Sequence, residues 1–371
     1  MRVLSAAVAD RADLSAPAAT LGERIGAELT AFLAERTGPL TAISPDLGPL
    51  AQAARAAVLT GGKRLRPTFA YWGWRSVQPA AAPGEAQLIR AAASLELLHA
   101  CALVHDDVMD SSDTRRGQPA AHVRFGRFHR EQGWHGSAQS FGAAGAILLG
   151  DLLLSWSEEL FASAISCLPP ERARAAIEEF GRMRTEVVAG QFLDILAQAR
   201  GAFDPDEAVR VVEYKTSKYT VQRPLLLGAR AAGGSPEVLD ALSAYGLLIG
   251  EAFQLRDDLL GVFGDPSQTG KPAGDDLREG KRTLLVALAF QAANPAQRAL
   301  LQAGIGDPAL TADGVARLRE VLERTGAHEQ IEQRIVERAA EAARCLAAGS
   351  LRPVAAQALL ELAQAAAHRT F

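Results

Sequence analysis

Residues 94–117 read SLELLHACALVHDDVMDSSDTRRG, and the chain is organised around them. An apolar run of helical period ends in three carboxylates, Asp106, Asp107 and Asp110, and two adjacent arginines, Arg115 and Arg116, follow within two turns. On a helix, Asp106 and Asp110 stand i,i+4 on one face with Asp107 at its edge. Carboxylates so placed repel one another unless cations lie between them. Hard divalent cations take oxygen ligands, and Mg²⁺ keeps several waters while binding one or two carboxylates plus substrate phosphates. Taken alone, the stretch reads more plainly as a solvated acidic helix end. The rest of the chain decides between these.

Outward from this stretch, nearly every segment after residue 20 repeats its apolar residues with helical period and is rich in Ala, Leu, Glu, Arg and Gln, the stronger helix formers. Helices are expected near 21–37, 46–60, 65–77, 84–110, 139–167, 170–200, 206–232, 236–264 and 282–303, and in pieces over 310–368. No alternating β-branched run suggests a strand. Stretches 91–104, 141–154 and 239–255 are apolar on more than one face, which predicts central helices. The expectation is one all-α domain over 21–371, with residues 1–20 as a flexible leader.

Composition narrows the function. With 48% hydrophobic and 22% charged residues the chain falls in the soluble globular class, and a net charge of -4 gives no basic field for nucleic acid. Cys101, Cys167 and Cys345 lack metal-ligand spacing and suit a reducing, cytoplasmic setting. The apolar run Val3–Ala9, cut short by Asp10 and Arg11, stands at the bottom of the length range for a signal peptide, and residues 1–20 read instead as a leader rich in Ala and small polar residues. No uninterrupted apolar stretch reaches ~18 residues, so no membrane span is expected.

Three further stretches carry chemistry. In GGKRLRP (61–67), two glycines free the backbone and Lys63, Arg64 and Arg66 crowd one turn. Such crowding is a solvated face, or it is made favourable by a phosphate. EYKTSKYT (213–220) puts Lys215, Thr216 and Lys218 in a helix otherwise built for burial, where a snorkelling lysine is the plainer reading. FQLRDDLLGVFGD (253–265) ends a second long apolar helix in Asp257 and Asp258, with Gln254 one turn earlier; the following loop bears Lys271 and Lys281. If the helices pack side by side, the two acidic clusters face each other across the mouth of an apolar cavity. A charged rim over an apolar floor suits a diphosphate with a hydrocarbon tail.

In order and spacing these motifs resemble those of the trans-polyprenyl diphosphate synthases, over nearly all of residues 30–345. The resemblance implies a bundle of long antiparallel helices around a central apolar cavity. It also implies a chain-elongating reaction of isopentenyl diphosphate with an allylic diphosphate, run by a homodimer. Asp106, Asp107 and Asp110 look like the first aspartate-rich motif and Asp257 and Asp258 like the second. Together they would hold three Mg²⁺, with Mn²⁺ an alternative, on the allylic diphosphate. Arg115, Lys215 and Lys271 match further clamps on that group. Lys63, Arg66, His99 and Arg116 match positions that bind the diphosphate of isopentenyl diphosphate. Thr216 and Gln254 match polar residues facing the reacting carbons, and Lys281 matches a loop lysine. The second motif departs from the pattern: Gly261 stands where a third Asp is expected, and Asp265 is a candidate substitute.

In this family the tail grows along the helix of the first motif toward its N-terminus. Cys101 and Ala102, five and four residues before Asp106, are small and leave about 6–7 Å clear below the carboxylates at ~1.5 Å per residue. Leu97 and Leu98 come next, and residues near Phe141–Leu149 and Phe192 are able to overrule them. The favoured product is C20, geranylgeranyl diphosphate, with C15 and C25 or longer left open. A class I terpene cyclase needs only one diphosphate site, and a non-catalytic partner subunit would be expected to lose metal aspartates. A purely structural bundle leaves the ionisable motifs unexplained.

Overall fold

The computed structural model describes residues 20–264 and 274–367. They form an all-α fold whose helices fall into two compact units, a division that the sequence does not signal. One comprises residues 20–71 and 79–174, the other residues 72–78 and 175–367.

The first unit is built on α1 (Leu21–Ile43), α2 (Gly48–Leu59), α4 (Glu85–Met109), α5 (Ala121–Glu131) and α6 (Ala138–Ile165), with the first turns of α3 (Leu65–Arg75). Thr20 and Glu23 close a capping box at the start of α1. The helix then buries Leu21, Ile25, Leu29, Phe32 and Leu33, one face at i,i+4 spacing. Gly38–Pro39 predicts an end near 37, yet α1 runs on to Ile43 with Pro39 inside it. As its all-round apolar sequence requires, α4 is central, with Leu88, Ile89, Ala91–Ala93, Leu95 and Leu97 almost fully buried. The same expectation fails for α6. It buries Gly142, Ala146, Leu149, Gly150 and Leu153 but exposes Phe141, Ile147 and Leu148, the last at 62%. A second apolar face there has no cover within the described chain.

No strand was expected, but Thr114–Arg115 (β1) and Gln118–Pro119 (β2) pair antiparallel, the only strand pair among the described residues. The two residues between them, Arg116 and Gly117, both have positive φ (53° and 71°). That is the requirement of a tight type I′ hairpin turn, whose usual sequence signals are Asn-Gly or Asp-Gly. The ribbon was therefore hard to read in advance.

The second unit centres on α10 (Pro236–Phe263), which buries Val238, Leu242, Tyr245, Ile249 and Leu255. Against it lie α15 (Ala327–Ala348) and a π-helical segment, Val212–Gln222. Around these are α7 (Pro170–Arg200, from Ala175 on), α8 (Pro205–Val211), α9 (Arg223–Ala232), α11 (Asp275–Arg278), α12 (Leu284–Ala292), α13 (Pro295–Gly304), α14 (Ala312–Arg324) and α16 (Pro353–Ala367). Tyr245 donates to the Leu359 carbonyl at 2.7 Å and so ties α16 to the centre. Arg223 donates to Glu179 and Glu186, and Arg256 grips Glu332 through both terminal nitrogens.

By length and composition α4, α6 and α10 are long and apolar enough to cross a membrane, although none is an uninterrupted apolar run.

Candidate active site

Each unit carries half of the expected residue set. In the first, the acidic motif closes α4. Asp106 and Asp110 are partly exposed, while Asp107 is 3% exposed. Arg115, on β1, donates to Asp107 Oδ1 through Nε at 2.7 Å and through a terminal nitrogen, which also stands 3.6 Å from Asp106 Oδ2. Burial pushes the Asp107 carboxyl up, and Arg115 pulls it partly back. An arginine expected on the diphosphate is thus bonded to an aspartate expected on the metal. The β1–β2 turn makes the pairing possible by folding Arg115 back onto the helix end.

The turn after α2 builds a second, cationic region. Gly61, Gly62 and Arg64 have positive φ, and the bend leads straight into α3 with Lys63 and Arg66. Arg116 donates to the carbonyls of Thr60 (2.6 Å) and Gly61 (2.7 Å). Gly62 has φ 126°, a conformation that favours glycine, and a β-carbon there would also stand close to the Arg116 guanidinium, at 3.2 Å. Arg64 turns the other way. It pairs with buried Glu96 on α4 at 2.7 Å and donates to the Val58 carbonyl. This arginine holds the turn against the helix.

His99, two turns before the acidic motif, has a buried Nδ1 with no hydrogen-bond partner. Burial, and then Arg66, Arg116, Arg115 and Arg64, hold its pKa well below the ordinary histidine value. It is a neutral donor among four guanidinium groups. Such a setting favours an anion, which the arginines neutralise and the imidazole can hydrogen-bond.

Leu97, Leu98 and Cys101 are buried and Ala102 is partly buried. Burial pushes the Cys101 thiol up to about 12, so it behaves as a small apolar group. Of the positions able to overrule these, Ala146 and Leu149 are buried, whereas Phe141 and Phe192 are exposed in their own units.

In the second unit Lys215 and Thr216 sit on the π segment. A π-helix is wider than an α-helix and frequent at functional sites. Here glycines make its room. A β-carbon on Gly190 of α7 would lie 2.5 Å from Lys215 N, and one on Gly246 of α10 would lie 2.6 Å from Gln222 Cα. Lys215 Nζ pairs with Asp194 of α7 at 2.6 Å. Thr216 donates to Gln254 Oε1, and Gln254 Nε2 donates to Asp258 Oδ1, each at 2.7 Å. Asp258 is 5% exposed; burial, with Asp276 and Asp257 adding, pushes its carboxyl up to about 8. Asp257 is partly exposed. Lys281 bonds Asp276 (3.2 Å) and Glu279 (2.7 Å). Asp265 and Lys271 lie outside the described residues.

Sequence reasoning missed Asp194, Glu96 and Asp276. The only signal was a charged residue on an otherwise buried face, which does not name a partner.

Among the described residues no three His, Cys, Asp or Glu side chains come together as a cage for a metal. Mg²⁺ completes its shell with water and substrate phosphate and needs only one or two carboxylates. Partly exposed Asp106, Asp110 and Asp257 provide the oxygen donors such an ion takes.

Residues 48–322 match the family model described as polyprenyl synthetase. The chain is similar to a geranylgeranyl pyrophosphate synthase of Corynebacterium glutamicum, solved with isoprenyl diphosphate and magnesium. That match has 40% identity and a TM-score of 0.90, and it covers 94% of this chain and 98% of that one. Among curated relatives, a short chain isoprenyl diphosphate synthase of Methanothermobacter thermautotrophicus is 34% identical over 77% of this chain and 80% of its own length. A geranylfarnesyl diphosphate synthase of Aeropyrum pernix is 34% identical over 79% and 84%. The chain belongs to the polyprenyl synthetase family, the trans-polyprenyl diphosphate synthases, and is a prenyl-transferring enzyme.

Proposed function

We propose that the enzyme condenses isopentenyl diphosphate with an allylic diphosphate, head to tail and in trans, and that it stops at C20, geranylgeranyl diphosphate. The observation that carries the two-substrate reading is the cationic region around His99, where Arg66 and Arg116 act most strongly, in addition to the aspartate motifs. A cyclase has no use for a second diphosphate site.

In this reading Asp106, Asp107, Asp110, Asp257 and Asp258 hold three Mg²⁺, which supply Lewis-acid stabilisation to the departing diphosphate. Lys215, Lys271 and Arg115 bind the allylic diphosphate and meet the charge that develops on it. Lys63, Arg66, His99 and Arg116 hold the second diphosphate. Thr216 and Gln254 face the reacting carbons, with Gln254 oriented by Asp258. Lys281 assists from the segment after the second motif. The double bond of isopentenyl diphosphate attacks the allylic cation, and the departed diphosphate takes the proton. No side-chain base is required.

Small Cys101 and Ala102, together with likeness to a relative named for the C20 product, support that length. A relative named for geranylfarnesyl diphosphate favours C25 as the second reading. The uncovered apolar residues of α6 (Phe141, Ile147, Leu148) support a homodimer, since patches of this kind mark association surfaces. Free cysteines support a cytoplasmic setting. Charged residues within α4 and α10 support a chain that does not span a membrane.

The test is a product assay with purified protein, labelled isopentenyl diphosphate, Mg²⁺ and C5, C10 or C15 allylic primers. One C20 product is expected. Failure to elongate any primer overturns the reading.

A further inference from the structure

Helix α5 presents two faces of opposite character. Phe125, Gly126 and His129 are buried on one. There the helix approaches α6 closely: a β-carbon on Gly126 would stand 3.0 Å from the Ala138 carbonyl oxygen, and one on Gly142 would collide with that of His122. On the other face Arg124, Arg127 and Arg130 follow one another at three-residue spacing, all exposed. Among the described residues none of these three side chains has an ion-pair or hydrogen-bond partner. A helix face that is merely solvated is commonly laced with charges of both signs. Here Glu131 is the only acid from residue 114 to residue 150, against five arginines, in a chain whose net charge is -4.

Beside the arginines, in the turn after α5, Trp134 is 46% exposed. Edge contacts with Phe128 (5.1 Å) and Phe141 (5.4 Å) hold its ring, and His129 Nε2 closes the turn by donating to the His135 carbonyl at 3.0 Å. The indole is thereby fixed at the surface, whereas Trp72, Trp74 and Trp156 are buried. Arginines that reach phosphates and a tryptophan at headgroup level are the groups that recognise an anionic bilayer.

We propose that the arginine face of α5, with Trp134, docks the enzyme peripherally on an anionic phospholipid surface. The guanidinium groups pair with lipid phosphates, and the indole lies among the headgroups. A docked enzyme releases its hydrocarbon-tailed product beside the phase in which that tail dissolves. Nucleic acid also offers phosphates, but the chain as a whole is acidic, and a lipid surface gives the exposed indole an apolar phase to enter. The proposal concerns binding and holds for any product length.

The test is co-sedimentation of the full chain with vesicles of phosphatidylcholine mixed with phosphatidylglycerol, and with vesicles of phosphatidylcholine alone. Binding is expected to the anionic vesicles only, and it should fall as salt is raised. R124Q/R127Q/R130Q should bind about a hundredfold more weakly, since each arginine near such a surface contributes about fivefold. R124K/R127K/R130K should keep most of the binding. Elongation in solution by both variants should match the wild type, because none of the three arginines belongs to the candidate active site. With brominated phosphatidylcholine in the anionic vesicles, tryptophan fluorescence of the wild type should be quenched and that of W134F should not, as the other three tryptophans are buried.

Equal binding by the glutamine variant and the wild type overturns the proposal. So does equal wild-type binding to neutral vesicles, or binding without quenching of Trp134. Displacement from the vesicles by a DNA duplex at matched phosphate concentration would assign the face to nucleic acid and overturn it too. Should the glutamine variant lose its fold, seen as lost elongation in solution, the quenching of Trp134 in the wild type and its salt dependence decide.

Discussion

Lys215 Nζ lies 2.6 Å from Asp194 Oδ2, an ion pair that ties the π segment to α7 and leaves Lys215 a quarter exposed. The lysine is thereby aimed without being sealed off. Asp194→Asn keeps the side chain's length but removes the charge that holds the ammonium group. A charge-assisted hydrogen bond contributes about 1.5–3 kcal/mol. We expect kcat/KM for the allylic diphosphate to fall on the order of tenfold or more, with KM for isopentenyl diphosphate nearly unchanged. Steady-state kinetics with each substrate varied in turn checks this; equal losses for both would assign Asp194 a general structural role.

Glu96 is a buried acid on α4, and its partner Arg64 anchors the Gly61–Gly62 turn. Removing one member of a buried pair leaves the other charge uncompensated, at a cost of about 3–5 kcal/mol. Glu96→Gln should lower unfolding free energy by at least about 3 kcal/mol and raise KM for isopentenyl diphosphate, because Lys63 and Arg66 ride on the same turn. Denaturant titration reads the first effect and initial rates the second. A stable variant with a normal KM would show that the turn holds its shape without Arg64.

Asp258 gives a pH dependence of definite sign. Its folded-state pKa, about 8, is above the ordinary carboxylate value of 3.8. Between these values the folded state binds more protons than the unfolded one, so stability falls as pH rises through that window. Metal-free protein should therefore lose stability from about pH 4 to about pH 8, and Asp258→Asn should flatten the slope. Thermal unfolding in chelator across this range tests it. A rise in stability over the window that disappears in the variant would contradict the burial argument.

The floor of the product pocket is testable by volume alone. Ala102 is small and partly buried one turn before Asp106, and Leu98 is buried a further turn below. Ala102→Phe should shorten the product to C15 or less, and Leu98→Ala should lengthen it beyond C20. Chromatography of the hydrolysed products distinguishes these results. An unchanged product from Ala102→Phe would mean that the tail does not pass this face of α4.

Much of this architecture was legible in the pattern of residues. The long helices α4, α6, α7 and α10 begin and end within about two residues of their expected bounds, because their apolar period is long and uninterrupted. The π segment was not legible: Val212–Gln222 has ordinary helical composition, and its wide turn depends on Gly190 and Gly246 in other helices. The exposure of Phe141, Ile147 and Leu148 on α6 is not legible for a related reason. An apolar face predicts a cover but does not say which chain supplies it.

The sequence by itself determined the helical class, the two acidic motifs, the cationic turn and the family, since period and spacing are local properties of the chain. The tertiary structure alone decided the partners: Arg115 with Asp107, Arg64 with Glu96, Asp194 with Lys215, and Asp276 in the space beside Gly261. Helical periodicity assigns a residue to a face. Which charge meets it there depends on backbone paths separated by tens of residues, and on glycines that allow those paths to come close.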